Sequence, residues 1–397
     1  MSLSRRVQAI KPSPTLAVTA RAAKLKAEGK DIIGLGAGEP DFDTPQHIKD
    51  AAIVAINKGF TKYTAVGGTP SLKQAIIAKF KRDNGFDYTA KQILVSCGGK
   101  QSFFNLALAV INPGDEVIIP APYWVSYPDI VIIAEGTPVI VQAGIEQGFK
   151  LTPAQLEAAI TPRTKMVVIN SPSNPSGAVY TMAELKALGE VLRKHPGILI
   201  ATDDMYEHIA LTDEKFVNIL NACPDLYERT MVLNGVSKAY SMTGWRIGYA
   251  AGPEAIITAM ENVQSQSTSN PTSISQVAAE AALNGDQGCI TPMLKAFRER
   301  HEFVVNGLNA IPGLKCIKAG GAFYAFPDAR KAIANLHQKG TITEATDIAF
   351  SEYLLVNAGV AVVPGSAFGS EGYIRLSFAT SMENLQAALG RIAAALL

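Results

Sequence analysis

Between residues 90 and 250 the chain alternates two kinds of apolar pattern. Short runs are apolar at nearly every position: "QILVSC", "DEVIIPAP", "PVIVQA", "KMVVINSP", "GILIATDD" and "RTMVLNGVS". Longer stretches such as "KQSFFNLALAVI" and "MAELKALGEVLRKH" carry apolar residues at helical spacing. A strand that is apolar on both faces needs cover on both faces, so the pattern predicts an α/β fold with a mostly parallel sheet between helices. Each of these strands runs into a polar or glycine-rich loop: "SCGGK", "PAPYW", "NSPSNPSG", "TDDMYE" or "NGVSK". Ligands of such sheets sit beyond the carboxyl ends of the strands, so those loops are where a site is expected.

From about residue 290 the texture changes. A long helical stretch, "MLKAFRERHEFVVNGLNAI", leads into strand-like "GAFYAFPD", "VAVVPG" and "YIRLSFA". Strands with helices between and after them suggest a smaller α+β domain. The expected division is an N-terminal segment, residues 1–45, that joins the small domain; a large domain, 46–288; and a small C-terminal domain, 289–397. No repeat or low-complexity tract interrupts this plan.

Composition narrows the function. With 397 residues, 48% hydrophobic and 18% charged, the chain can bury two cores. A net charge of +1 offers no electrostatic footprint for nucleic acid or an anionic membrane. Small molecules of balanced charge are the expected partners. No run approaches the ~20 apolar residues needed to span a bilayer. Four scattered cysteines without a Cys-x-x-Cys pair read as reduced thiols, and the five histidines lack metal-ligand spacing. A cytoplasmic protein with no metal is expected.

Several loops carry candidate chemistry, each with a plainer reading. In "SCGGKQ" a strand ends at two glycines and a helix begins, which makes either an anion cradle or a tight turn. "GLGAGEP" lacks the glycine spacing and the following helix of a dinucleotide site. Asn174 in "NSPSNPSG" can present its amide to a ligand or cap the backbone. Asp203, nearer the apolar strand than Asp204, is the carboxylate expected to face the site. It needs a partner, whether a pyridinium, an arginine or a helix start. Tyr206 follows on the same loop. Lys238 in "NGVSKAYSMTGWRIGY" is either a solvated lysine or an amine kept neutral by burial and able to attack an aldehyde. Arg246 offers a planar fork suited to phosphate. Arg375 in "YIRLSFA" needs an anion, from a ligand or from an internal salt bridge.

Taken together, "GAGEPDFDTP", "KYTAVGGTPSLKQAI", "SCGGKQSFFNL", "PYWVSYP", "NSPSNPSG", "SKAYSMTGWRIGY" and "YIRLSFATSMENL" resemble the fold-type I, class I aminotransferases that use pyridoxal 5′-phosphate. The resemblance runs from about residue 5 to the end. It is strongest to the bacterial aspartate aminotransferases of the second subgroup, some of which also transaminate prephenate. It implies that Lys238 holds the cofactor as a Schiff base and that Asp203 faces the pyridine nitrogen. Asn174 and Tyr206 are then near the ring's phenolic oxygen. Gly99, Lys100, Ser237 and Arg246 surround the phosphate, and Trp124 lies against the ring. Tyr63 reaches a phosphate in the partner subunit, which implies a homodimer with shared sites. Gly38, Trp124, Asn174 and Arg375 contact the amino-acid substrate, Arg375 at its α-carboxylate. Lys100 is implied at the distal carboxylate and Lys11 in prephenate use. The implied reaction transfers the amino group of aspartate to 2-oxoglutarate in ping-pong half-reactions. Prephenate, aromatic or alanine transamination, or a β-lyase on the same fold, remain alternatives. Three positions depart from the family pattern: Ser176 for threonine, Asp204 for glutamate and Met205 for isoleucine.

Overall fold

The computed structural model describes residues 2–10, 12 and 14–397. Lys11 lies outside them. Seven strands form the main sheet: β2 (Ile93–Ser96), β3 (Glu116–Ala121), β4 (Thr137–Gln142), β5 (Thr164–Asn170), β6 (Leu199–Asp203), β7 (Thr230–Gly235) and β8 (Gly248–Ala251), in the order β2-β8-β7-β6-β5-β3-β4. Period-two alternation divides them between two cores. Ile118, Val167, Ile169, Ile200 and Val232 pack on one face. Val117, Ile119, Met166, Val168, Leu199, Met231 and Leu233 pack on the other. Both faces are buried, which is why these strands read as continuous apolar runs.

Strands β3 to β7 are mutually parallel, but β8 is antiparallel to both β2 and β7. The sequence pattern did not announce β8, a short "GYAA" behind a glycine. No α-helix intervenes between β7 and β8, so there is no crossover to bring the chain back parallel.

Four short strands in the C-terminal part, with one near the N-terminus, make two small sheets. β1 (Ile33–Gly34) pairs in parallel with β10 (Val360–Ala361). β12 (Ile374–Ser377) lies antiparallel to β9 (Tyr324–Ala325) and β11 (Val363–Pro364). The run "VAVVPG", read as one strand, is therefore two, because its halves pair with different sheets. The long helix Thr291–Asn309 packs on β9 and on the terminal helix Met382–Leu396. All four cysteines are free thiols, and among the described residues no helix is long and apolar enough to cross a membrane.

Candidate active site

The loops at the carboxyl ends of β2, β5, β6 and β7 converge on one cavity of about 290 Å³. Its walls include Gly38, Gly99, Lys100, Trp124, Asn174, Asp203, Tyr206, Ser237, Lys238, Arg246 and Arg375. Of the residues singled out by sequence, Tyr63 is not among them; its side chain is 92% exposed.

One end of the cavity is built for an anion. After β2 the chain turns at Gly98 with φ +88° and enters the helix Gly99–Val110. The positive φ calls for glycine at Gly98, and a Cβ there would displace the Arg246 guanidinium. The helix start brings free N–H groups and a positive dipole end to the cavity. Arg246 donates to the carbonyls of Thr243 (2.9 Å) and Cys97 (3.3 Å), not to a carboxylate. Lys100 stands 5.2 Å from the Trp124 ring centre, and burial followed by the charge of Arg246 lowers its pKa.

The opposite end centres on Arg375, which is buried. It donates to Asn174 Oδ1 (2.9 Å) and to the Gly36 carbonyl (2.6 Å), while its Nε has no partner among the described residues. The internal salt bridge that a plainer reading expects is replaced by neutral acceptors. A guanidinium held dry with a donor to spare is a place for a carboxylate. Asn174 is held in turn by Asn170, whose Oδ1 accepts from the Asn174 N–H at 2.9 Å.

Between the two ends lie Lys238 and Asp203. Lys238 Nζ donates to the Gly38 carbonyl at 2.6 Å. Burial brings its pKa down to about 8, with Arg375 and Arg246 adding to the effect against Glu39 and Asp203. Asp203 ends β6, where burial pushes its carboxyl up. The Tyr127 hydroxyl, the Met205 N–H at 3.2 Å and the charge of Lys238 act in the opposite direction. Asp204 is turned away, fully buried, and accepts from Thr202 (2.6 Å) and Asn218 (2.7 Å). Among the described residues, the wall thus brings together two arginines without carboxylate partners, an amine and a carboxylate.

A family model described as aminotransferase class I and II matches residues 30–392. The chain belongs to that family. A relative named aspartate/prephenate aminotransferase in Nitrosomonas europaea is 72% identical to this aminotransferase over 396 residues, covering 100% of both. Another of that name in Cereibacter sphaeroides is 56% identical, over 99% of this chain and 98% of its own. The crystal structure of the Rhizobium meliloti aspartate aminotransferase superposes with a TM-score of 0.94 at 51% identity, covering 100% of this chain and 99% of that one. The Thermus thermophilus aspartate aminotransferase with maleate gives 0.93 at 44%, with both chains fully covered. The fold-type I architecture and the enzymatic class follow.

Three contributors to the aminotransferase site escaped the sequence reading. Tyr127 donates to Asp203 from 76 residues away, Asn170 anchors Asn174, and Tyr324 pairs its hydroxyl with that of Tyr206 at 2.8 Å. All three lie in stretches quoted above, "PYWVSYP", "NSPSNPSG" and "GAFYAFPD", but none was singled out there.

Proposed function

We propose that the enzyme transfers the amino group of L-aspartate to 2-oxoglutarate with pyridoxal 5′-phosphate as cofactor. The observation that carries this reading is the Lys238 amine, brought to about 8, in a cavity it shares with Asp203 and two arginines that lack carboxylate partners. The donor set fits the group: N–H donors and cations for a phosphate, a carboxylate for a ring nitrogen, an amine for an aldehyde. Gly99, Lys100, Ser237 and Arg246 would hold the phosphate, Trp124 would lie against the ring and Asp203 would meet its nitrogen. Asn174 and Tyr206 would serve the ring's phenolic oxygen, and Lys238 would bind the aldehyde.

When bound, such a group withdraws electrons from a substrate's α-carbon and so weakens the C–H bond there. Arg375 fixes the substrate's α-carboxylate through a planar fork, which sets the orientation of that bond. Lys238, its pKa lowered to about 8 by burial so that its neutral form is within reach, takes the proton from the α-carbon. Asp203, once ionised beside a cationic ring, keeps the ring nitrogen protonated. Gly38 presents its backbone beside Lys238, where substrate would lie.

Homodimerisation belongs to the same proposal. The helix Gln46–Asn57 and the loop after it expose Ile53, Val54, Ile56, Phe60 and Tyr63. An apolar strip of this kind favours a partner surface. A second copy covering it would let Tyr63 complete the partner's phosphate site.

The names of the Nitrosomonas and Cereibacter relatives favour prephenate as an additional acceptor, with Lys11 as the residue concerned. The test is a set of half-reactions. Enzyme loaded with pyridoxal phosphate is mixed with aspartate, glutamate, phenylalanine or arogenate, and loss of the yellow form is followed. Aspartate and glutamate should convert it fastest. A protein converted only by phenylalanine, or one releasing pyruvate from cystathionine without an oxo acid, would refute the reading.

A further inference from the structure

Tyr324 stands between two groups that the reaction needs. Its hydroxyl is 2.8 Å from that of Tyr206, and the Arg375 guanidinium lies 4.5 Å from its ring centre. The side chain is fully buried. Register explains its place: Tyr324 on β9 is paired with Ser377 on β12. Ser377 and Arg375, two apart, share a strand face, so the paired tyrosine shares it too. A Cβ at Gly38 would come within 3.0 Å of the Tyr324 hydroxyl oxygen. The same glycine that accepts from Lys238 therefore leaves the space that this phenol fills.

A phenol has one proton to give. Either hydroxyl of the Tyr206–Tyr324 pair can donate to the other. Once Tyr206 gives its proton to an anionic oxygen in the cavity, the contact persists only with Tyr324 as donor. We propose that Tyr324 is a positioning residue acting through Tyr206: by donating to the Tyr206 oxygen it makes Tyr206 a stronger donor to the phenolic oxygen of bound pyridoxal phosphate. This rests on the cofactor reading above. Hydrogen bonds in series polarise one another, so loss of the outer one weakens the inner. A donor on the phenolic oxygen draws electron density from the basic group conjugated with it. A weaker donor leaves that group more basic.

The readout is the pH midpoint of the visible absorbance of the holoenzyme, which a purely structural role leaves alone. Tyr324→Phe keeps the ring against Arg375 and removes only the hydroxyl. It should raise the midpoint by about 0.5–1 pH unit. Tyr206→Phe should raise it further, and the double variant should match Tyr206→Phe alone, since the outer hydroxyl acts only through the inner one. Incorporating 3-fluorotyrosine at position 324, a stronger donor of nearly the same shape, should lower the midpoint. An unchanged midpoint in both the phenylalanine and fluorotyrosine proteins, or shifts that add in the double variant, overturns the proposal. A wild-type protein that takes up no pyridoxal phosphate overturns the cofactor reading and this proposal with it. A wild type that titrates while Tyr324→Phe titrates identically overturns the proposal alone.

Discussion

Two groups of charges lie side by side beyond β6, and they are built on opposite principles. In one, the fully buried Lys79 pairs with Glu207 and donates to Asn84 Oδ1 at 2.8 Å. Asn84 and Asn234 donate to the two Glu207 oxygens at 2.9 and 2.8 Å. Burial works against the Glu207 carboxylate, yet Lys79 and His208 hold its pKa below the ordinary range. Asp83, Glu207 and His208 come close enough together to suggest a metal, but Lys79 and Arg82 already supply the positive charge. In the other group, a few residues away, Arg375 keeps an unpaired Nε, Arg246 meets only carbonyls and Asp203 is pushed up. Matched buried charges hold a fold together. Unmatched ones mark where something else is meant to bind.

The sharpest break of this comparison is Lys238→Ala. It removes the free amine, so turnover should fall by about 10⁴, while thermal unfolding of the apo protein should hardly change. Borohydride reduction of the wild-type holoenzyme should fix the cofactor to Lys238, and labelling at another lysine would defeat the assignment. The pH dependence has a definite sign. Burial lowers the amine to about 8, so the neutral, reactive fraction grows as pH rises to that value and levels off above it. The rate at which apo protein regains its colour should follow that curve.

Next comes Glu207→Gln. It strands the Lys79 ammonium in the interior, which costs about 3–5 kcal/mol of folding stability. Urea unfolding measures this directly. Asn234, which donates to Glu207 from the end of β7, lies four residues before Lys238, so some activity is lost as well, but at low temperature, where the variant is folded, the loss should be small beside that of Lys238→Ala. A variant that is as stable as wild type would show that the matched group is not structural.

Arg375→Ala is the mirror experiment. No ion pair is lost, and relief of a desolvated charge offsets the two hydrogen bonds given up, so apo stability should fall less than in Glu207→Gln. The KM for amino-acid substrate should rise by about two orders of magnitude, the cost of a charged hydrogen-bonded contact, and cofactor affinity should change far less. Equal losses in both would place the arginine elsewhere in the mechanism.

How far the sequence carried these distinctions depended on range. The strands, their loops and the cluster at Asn174, Asp203, Lys238 and Arg375 were legible because each rests on a local pattern: an apolar run, a strand end, a lone charge among apolar neighbours. Strand β8 was not, since its four residues become a strand only through pairing with β2 and β7. Tyr127 and Tyr324 were not singled out by the sequence. Their hydroxyls meet Asp203 and Tyr206 across 76 and 118 residues of chain, and no periodicity encodes such a meeting. Pairing was equally hidden. Lys79 and Arg375 are both buried charges, and only the folded chain shows that one is matched and the other is not.

Lys100 tests the comparison at its weakest point. It is exposed on the residue scale yet lines the cavity and lies over Trp124. Its ammonium belongs to the unmatched group, and burial with Arg246 beside it disfavours its charge. A second carboxylate on the substrate would supply the missing partner. Lys100→Gln should therefore reduce kcat/KM for aspartate and glutamate by about five- to tenfold, less than the full value of a hydrogen bond to a charged group because the pair is partly exposed. Alanine and phenylalanine, which have no distal carboxylate, should be affected much less. The difference should shrink at high salt, because a partly exposed pair is screened. If all four substrates lose equally, Lys100 serves the phosphate end alone, and the unmatched charge there is explained by the cofactor without any part in choosing the substrate.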